Sequence, residues 1–184
     1  NIYNLDNTGF KANERLNITA NDFSGRSRLA LTNCDTPAVR KNTFTCEALD
    51  APAIAINACK LAQIQNNVFM GRYATAIHVQ QDIDSSVNGN IVSNAARGIY
   101  WSGQNAMLRG NTFTECRTGI MLAGVTGVVE GTLVRGSDLA LDLQRSQVQF
   151  TDVRAENMPT NGTALALDAS EATLLNCNIE LPRV

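Results

Sequence analysis

One pattern recurs along nearly the whole chain: an Asn set between apolar residues as apolar-x-x-Asn-x-apolar. The clear copies are centred on Asn21, Asn42, Asn67, Asn90 and Asn111. Degenerate copies continue the series at Thr132, Val153 and Asn178. Successive anchors are therefore 21 to 25 residues apart. A step of this length is typical of solenoids, in which each repeat forms one coil that packs on the next.

A second apolar strip follows most anchors after nine to twelve residues. Its copies read Leu29-Ala30-Leu31, Ile54-Ala55-Ile56, Ile77-His78-Val79, Ile99-Tyr100-Trp101, Ile120-Met121-Leu122, Leu141-Asp142-Leu143 and Leu165-Ala166-Leu167. Alternation with a period of two predicts a strand with one buried face. Each repeat should thus hold three short strands: one before the anchor, one after it and one at the strip. The small residues that often precede the strip, such as Gly98 and Gly119, are expected at a bend.

A repeat of this length is too short for a strand, a full helix and two turns, but it suits one coil of a three-sided solenoid. Equivalent residues then stack into columns. One inner wall is expected to consist of Phe23, Phe44, Phe69, Val92, Phe113 and Val134. Another is expected to consist of Leu31, Ile56, Val79, Trp101, Leu122, Leu143 and Leu167. With the anchor amides bonded from coil to coil, the sequence predicts an all-β, single-stranded parallel β-helix of about eight coils.

Length and charge narrow the class of protein further. We expect one domain over residues 1–184, with regular coils over 16–180 and an early coil or a cap over 1–15. Because the chain begins with Asn1 rather than Met, it is expected to be a piece of a longer protein. The near balance of 15 Lys and Arg against 17 Asp and Glu argues against a nucleic-acid partner. The sequence has no run of eighteen apolar residues, so no insertion into a membrane is expected.

The five Cys show no CxxC spacing, which argues against a disulfide framework or a zinc module. Cys34 and Cys59 each follow a core residue of the strip by three positions, so they should stack on neighbouring coils. The first interpretation is a pair of interior thiols that pack as small apolar groups. A disulfide or a reactive pair is the alternative.

The Asn ladder, together with Gly110-Asn111-Thr112-Phe113 and Gly119-Ile120, resembles the right-handed parallel β-helix proteins of the pectate-lyase-like superfamily. That group includes pectate lyases, polygalacturonases, alginate epimerases and phage tailspikes. The resemblance covers about residues 16–180 and implies a right-handed coil, in agreement with the general preference for right-handed crossovers. It also implies a polysaccharide partner and a location outside the cell or on a virion or cell surface.

The outward residues of the strip should form the floor of a groove, since the interior of a solenoid is packed. Asp142 and Asp168 fall on adjacent coils, offset by two positions, which puts their Cα atoms roughly 8 Å apart. Such a pair suits a general acid and base on a glycosidic bond, or a cation held against a uronate. Solvated surface acids are the alternative. His78 is a candidate general base or sugar contact, and Tyr100 a candidate stacking platform for a sugar ring.

Further groups flank this groove. Arg97, Arg117 and Arg145 lie near the edges of the strip and are candidates for binding an acidic glycan. The residues Gln80 and Gln144 lie on the groove floor and complete the substrate-binding set. Asp82 and Asp84 form a DxD motif in a turn, where a divalent cation such as Ca²⁺ is an alternative to ordinary turn hydrogen bonding. No cofactor and no metal ligand is assigned.

Two functions from different classes follow. The first is a carbohydrate-active β-helix that binds a polysaccharide and, as a lyase, hydrolase or epimerase, processes it through Asp142, Asp168 and His78. None of the catalytic signatures of the family's hydrolases or epimerases occurs, so whether the protein is an enzyme stays open. The second is a non-catalytic fibre segment, such as a tailspike shaft or an adhesin, which would form a homotrimer. A third is a metal-delivery or periplasmic β-helix, which Asp82 and Asp84 alone do not support.

Overall fold

The computed structural model describes residues 2–3, 8–11 and 15–180. Its regular elements are parallel β-strands that stack on three faces in about eight coils, as predicted. Within each coil the chain passes face 1 before the anchor, face 2 after it and face 3 at the strip. Turn 1, turn 2 and turn 3 follow the faces of the same number. No part of the described ranges forms a helix long and apolar enough to cross a membrane.

Most strands on each face are short. Face 1 consists of Asn17–Thr19, Ala38–Arg40, Gln63–Gln65, Ser86–Asn88, Ala106–Arg109, Thr126–Glu130, Gln147–Thr151 and Glu171–Leu175. Face 2 consists of Ile2–Tyr3, Asp22–Gly25, Val68–Met70, Ile91–Ser93, Thr112–Thr114, Leu133–Arg135, Arg154–Glu156 and Asn178–Ile179. Face 3 consists of Thr8–Lys11, Leu29–Thr32, Arg72–Ile83, Arg97–Gln104, Thr118–Ala123, Leu139–Gln144 and Thr163–Asp168. The long strand Thr43–Asn57 runs from face 2 onto face 3 and joins them into one sheet.

The residues before the first regular coil are described only in part. Ile2 and Tyr3 pair with the face 2 strand that begins at Asp22, and Thr8–Lys11 pairs with Leu29–Thr32. Both pairings are parallel and have the same order as later coils. The rest of the region predicted as an early coil or a cap lies outside the described residues.

The Asn ladder of turn 1 confirms the prediction. The backbone N–H of Asn21 donates to Oδ1 of Asn42 at 2.9 Å, and the same bond repeats up to Asn111 at 2.9–3.0 Å. Each of these Asn residues follows a residue with positive φ, which is Gly89 before Asn90 and Gly110 before Asn111. The left-handed conformation turns the amide into the interior, and Gly adopts it without steric cost.

The last rung of this ladder differs from the prediction. Asn178 is paired with Arg154 at the start of a face 2 strand, so the residue at the anchor position is Cys177. Its thiol contacts the carbonyl oxygen of Phe150 at 3.5 Å, in the way that the Asn67 amide bonds the carbonyl of Val39. The sequence pattern misplaced the anchor by one residue because a thiol took the position of the amide.

The inner columns confirm the predicted register on both walls. Phe23, Phe44 and Phe69 stack with ring centroids 4.6 and 4.8 Å apart, and Trp101 is fully buried between Val79 and Leu122. Leu167 also lies in its predicted column, opposite Leu143, but it is 51% exposed. Its prediction as a buried core residue was wrong, because among the described residues no further face 3 strand packs on it.

The small residues before the strip have a different cause from the predicted bend. Neither Gly98 nor Gly119 has a positive φ. A Cβ atom at Gly119 would lie 2.5 Å from Cγ1 of Val134 and 2.8 Å from the carbonyl oxygen of Ala140. At Gly98 it would lie 2.3 Å from the Phe113 ring. These positions are small because face 2 side chains fill the space beside them.

Turn 3 carries a second, mixed ladder that the sequence did not reveal. The backbone N–H of Cys34 donates to Sγ of Cys59 at 3.4 Å, and the N–H of Cys59 donates to Oδ1 of Asp82 at 2.8 Å. Farther along, the N–H of Val125 donates to Oγ of Ser146 at 3.1 Å. A side chain in one coil thus satisfies a buried backbone donor of the coil before it, which is the same solution as in the Asn ladder.

Candidate site on the outer surface of face 3

The outward residues of face 3 form two straight columns, in the predicted register. The first outer column consists of Ala30, Ala55, His78, Tyr100, Met121, Asp142 and Ala166. The second outer column includes Thr32, Asn57, Gln80 and Ser102, and farther along Ala123, Gln144 and Asp168. Strands on adjacent coils lie about 4.8 Å apart, so each column presents one side chain per coil at that step.

His78 and Tyr100 are in direct contact on adjacent coils. Their ring centroids are 4.9 Å apart at an interplanar angle of 71°, an edge-to-face arrangement. The guanidinium carbon of Arg97 lies 6.0 Å from the centroid of the Tyr100 ring, at the outer limit of a cation–π contact. The three side chains form one continuous polar and aromatic surface, which we call the aromatic cluster.

The environment of His78 keeps its ring neutral near pH 7. Desolvation by burial lowers the pKa of His78 below its ordinary value of 6.5, and the positive charge of Arg97 lowers it further. Its Nε2 atom is buried and has no hydrogen-bond partner among the described residues. The imidazole therefore offers a neutral ring with one unused nitrogen, which is covered by its neighbours.

The two candidate acids are adjacent, as their spacing predicts, but they lie apart from the aromatic cluster. Asp142 is opposite Ala166, and Asp168 is opposite Gln144, so the acids are on successive coils with an offset of two residues. Nε2 of Gln144 donates to Oδ2 of Asp142 at 3.3 Å. Asp142 lies three coils from His78, roughly 14 Å away. One glycosidic bond of a ligand therefore cannot contact Asp142 and His78 at the same time.

The candidate arginines do not share one edge. Arg97 begins its face 3 strand opposite Thr118, and Arg117 is the residue just before Thr118. Arg145 follows the opposite end of a face 3 strand, in turn 3, where it lines a shallow cleft with Glu171. Six residues of strand separate the two edges, roughly 20 Å. Arg97 and Arg117 therefore lie at one edge of face 3, and Arg145 lies at the other.

Arg72 lines the same shallow cleft at turn 2 as Arg117. The two arginines are two coils apart, with Asn94 and Ala96 on the coil between them. The sequence pattern missed Arg72 because the strand pairing is irregular between Tyr73 and Thr75, so the position does not follow the alternation of the strip. A basic residue in that turn was the signal that could have indicated it.

The DxD motif does not form a joint cation site. Asp82 is only 1% exposed, and its carboxylate accepts hydrogen bonds from the N–H of Cys59 at 2.8 Å and from the hydroxyl of Ser85 at 3.0 Å. Asp84 is exposed and accepts a bond from Nδ2 of Asn105 at 2.6 Å. Burial raises the pKa of Asp82 to about 6, although its two hydrogen bonds lower it in part. Asp82 is thus a rung of the turn 3 ladder.

Three stacked parallel faces around a packed interior define a parallel β-helix protein. The chain belongs to the NosD family, described as "Periplasmic copper-binding protein (NosD)", whose sequence model matches residues 1–133 and again 50–180. Two overlapping matches are what a repeated coil produces. A comparison with curated proteins gave no match.

Among solved structures, the chain is similar to QnrB1, a plasmid-mediated fluoroquinolone resistance protein. The two share 14% sequence identity with a TM-score of 0.38, and the match covers 94% of this chain and 89% of that one.

Proposed function

We propose that the outer surface of face 3 binds a polysaccharide, with the aromatic cluster as the main contact. The observation that carries the proposal is the edge-to-face contact of His78 and Tyr100 beneath the guanidinium of Arg97. Both rings are partly exposed. Such rings present apolar surface together with a polar edge, which suits the apolar face and the hydroxyls of a sugar ring.

The columns supply the remaining polar contacts. Gln80 follows His78 by two residues on the same strand, so its amide lies beside the cluster and offers both donors and an acceptor to sugar hydroxyls. Gln144 offers the same groups beside Asp142. Because the columns are straight, an extended chain of sugars can follow them from the aromatic cluster to the two acids.

A processing activity would use the acid end of the same surface. The Cα atoms of Asp142 and Asp168 are roughly 8 Å apart by their register. This spacing allows the carboxyl groups to take the separation of about 6.5–9.5 Å at which one protonates a leaving oxygen and the other activates water. His78 would then hold the ligand rather than take part in the chemistry, since it lies roughly 14 Å away. We also infer that the protein acts outside the cytoplasm, as the periplasmic description of its family suggests.

The binding experiment compares wild type, Tyr100→Ala and Arg97→Ala on an array of neutral and acidic glycans, followed by calorimetry on the best ligand. Arg109→Ala on face 1 is the matched control, because it removes the same charge from another face. We expect the face 3 variants to bind at least about tenfold more weakly, a loss of about 1.4 kcal/mol, and the control to bind as tightly as wild type. Equal affinity in all four proteins contradicts the proposal.

Catalysis has its own test. Product release from the bound glycan is measured for wild type, Asp142→Asn and Asp168→Asn. Loss of turnover with unchanged affinity in both variants supports the acid pair. Turnover that survives both substitutions assigns the chemistry elsewhere, and absence of turnover in wild type leaves a binding protein.

Copper, which the family description names, does not fit the described residues. Thiolate, thioether and imidazole are the usual copper ligands. Met70, Met107 and Met121 lie on three different faces, and Tyr100 separates Met121 from His78. Over the described ranges no group of three His, Cys, Asp or Glu side chains could hold a metal ion. No step of the proposed function uses copper.

A second candidate function, a structural fibre segment, is favoured by the apolar surface of face 2. Ile91 is 50% exposed and Met70 on the preceding coil is 51% exposed. Lateral packing of three copies through this face would cover them. Sedimentation of wild type as a trimer and of Ile91→Ser as a monomer would support this function, whereas a monomeric wild type contradicts it.

A further inference from the structure

Cys34 and Cys59 occupy the same position of turn 3 on successive coils. The backbone around them is paired: the N–H of Lys60 donates to the carbonyl of Cys34 at 3.1 Å, and the N–H of Asn33 donates to the carbonyl of Asn57 at 3.0 Å. Their Cα atoms are therefore about one coil step, roughly 4.8 Å, apart. This separation lies inside the range of about 4.4–6.8 Å that disulfides require.

The two side chains also have the same orientation. Each thiol contacts the carbonyl oxygen two residues earlier at 3.6 Å, Thr32 for Cys34 and Asn57 for Cys59. The Sγ atom of Cys59 in turn lies 3.4 Å from the backbone nitrogen of Cys34. Both residues are buried, with 2% and 1% of their surface exposed. The sulfur atoms are thus neighbours in a closed part of the interior.

By the backbone register of the described residues, no other cysteine lies opposite a cysteine on an adjacent coil. Cys116 lies in turn 2 opposite Ala95, and Cys177 lies in turn 1 at the anchor position. The backbone of Cys46 is opposite Gly25 on face 2. Among these positions, only turn 3 places two cysteines on adjacent coils.

We infer that Cys34 and Cys59 form a disulfide when the chain folds in an oxidising compartment, such as the periplasm that its family description names. The thiolate of one cysteine attacks the disulfide of a thiol oxidoreductase or of oxidised glutathione, and the second thiolate then displaces the reduced carrier. One S–S bond forms, two protons leave the cysteines, and two electrons reduce the carrier disulfide to two thiols.

The bond forms before the coils close. The thiolate is the attacking species, and burial raises the pKa of Cys59 to about 12 in the folded chain. A carrier protein also cannot reach sulfur atoms that are almost fully covered. Oxidation therefore belongs to folding, and protein that folds under reducing conditions keeps both thiols.

The bridge would close a loop of 25 residues. This loop contains the long strand Thr43–Asn57, which joins face 2 to face 3. A cross-link restricts the unfolded chain more than the folded one, so it should stabilise the coils at this end of the described region.

The test refolds the full chain from the reduced, denatured state, once with a mixture of reduced and oxidised glutathione and once with excess reductant. Both samples are alkylated under denaturing conditions and mapped by mass spectrometry. We expect a peptide that joins Cys34 to Cys59 only after oxidising refolding, with three of the five cysteines alkylated there and five in the reduced sample.

Two variants complete the experiment. Cys116→Ser should leave the cross-linked peptide unchanged, and Cys34→Ser should leave Cys59 alkylated. The melting temperature of wild type should rise on oxidising refolding, while that of Cys34→Ser should not. Alkylation of all five wild-type cysteines after oxidising refolding, or a bridge from Cys34 to another cysteine, overturns the inference, and this result does not depend on how the variants fold.

Discussion

Asp82 accepts a hydrogen bond at 2.8 Å from the backbone N–H of Cys59 on the preceding coil, while it is almost completely buried. A carboxylate in this position satisfies a backbone donor but is itself desolvated. Its pKa rises from 3.8 to about 6, so the folded protein binds a proton between these values that the unfolded chain has released. The contribution of Asp82 to stability is therefore complete below about pH 4 and is lost as the pH rises through about 6.

Asp82→Asn should remove this dependence. The Asn side chain still accepts the bond from Cys59, and it has no charge to desolvate. From pH 4 to pH 7 the free energy of unfolding of wild type should decline relative to Asp82→Asn by about 2 kcal/mol. Urea titrations at pH 4, 5, 6 and 7 measure it. Asp84→Asn, an exposed control, should follow wild type, and parallel curves for all three proteins would refute the prediction.

Removal of one amide side chain from the Asn ladder should lower the free energy of unfolding substantially. Asn67→Ala removes the acceptor of the Asn42 N–H and the donor to the carbonyl of Val39. We expect a loss of about 2–4 kcal/mol, because buried polar groups are left without partners. Asn57→Ala on the exposed second outer column is the control, with an expected change within about 0.5 kcal/mol. Chemical denaturation measures both, and similar losses would contradict the ladder's role.

A larger side chain at Gly119 should lower the stability by overpacking, rather than by the loss of a contact. The added Cβ atom of Gly119→Ala would meet Cγ1 of Val134 at 2.5 Å and a backbone oxygen at 2.8 Å, so strands must move apart. A loss of about 1–3 kcal/mol is expected from overpacking. Gly9→Ala is the control, since nothing lies within 4 Å of its added Cβ. Thermal unfolding compares the two, and a Gly119→Ala protein as stable as the control would show that the space exists.

The pKa of the single His reports on the aromatic cluster. Tyr100→Ala exposes the imidazole of His78 to water, so its pKa should rise toward 6.5; Arg97→Ala should also raise it by removing a nearby positive charge. Tyr100→Phe keeps the ring and should leave the value unchanged. Because the sequence has one His, its proton resonances give an unambiguous titration. An identical pKa in Tyr100→Ala and Tyr100→Phe would exclude the covering role of the ring.

The columns were predictable because parallel strands in register repeat one environment in every coil. The same residue type at the same step, as at Asn42, Asn67 and Asn90, therefore has one physical explanation. Positions in the turns were harder to predict from the sequence. There a residue with positive φ determines which of the following side chains points inward. Asn178 was misplaced for this reason. For Asp82 the sequence indicated turn hydrogen bonding, but it did not show that the carboxylate would be buried after Gln81, which has a positive φ.

The candidate site was predictable in its composition and not in its grouping. Alternation along a strand correctly assigned His78, Tyr100 and Asp142 to one outward column. It could not show that two rings meet at one end, because that contact depends on side-chain rotamers. It also could not separate Arg145 from Arg97, since both lie close to the strip in sequence.

The spacing between Tyr100 and Asp142 is set by a whole number of coils, with only Met121 between them on the column. Each coil contacts only its neighbours, so a repeat of 21 residues could be excised or duplicated without disturbing the others. Distances along the column are therefore multiples of the coil step of about 4.8 Å. A related chain could match a ligand of another length by changing its number of repeats, with every contacting side chain left as it is.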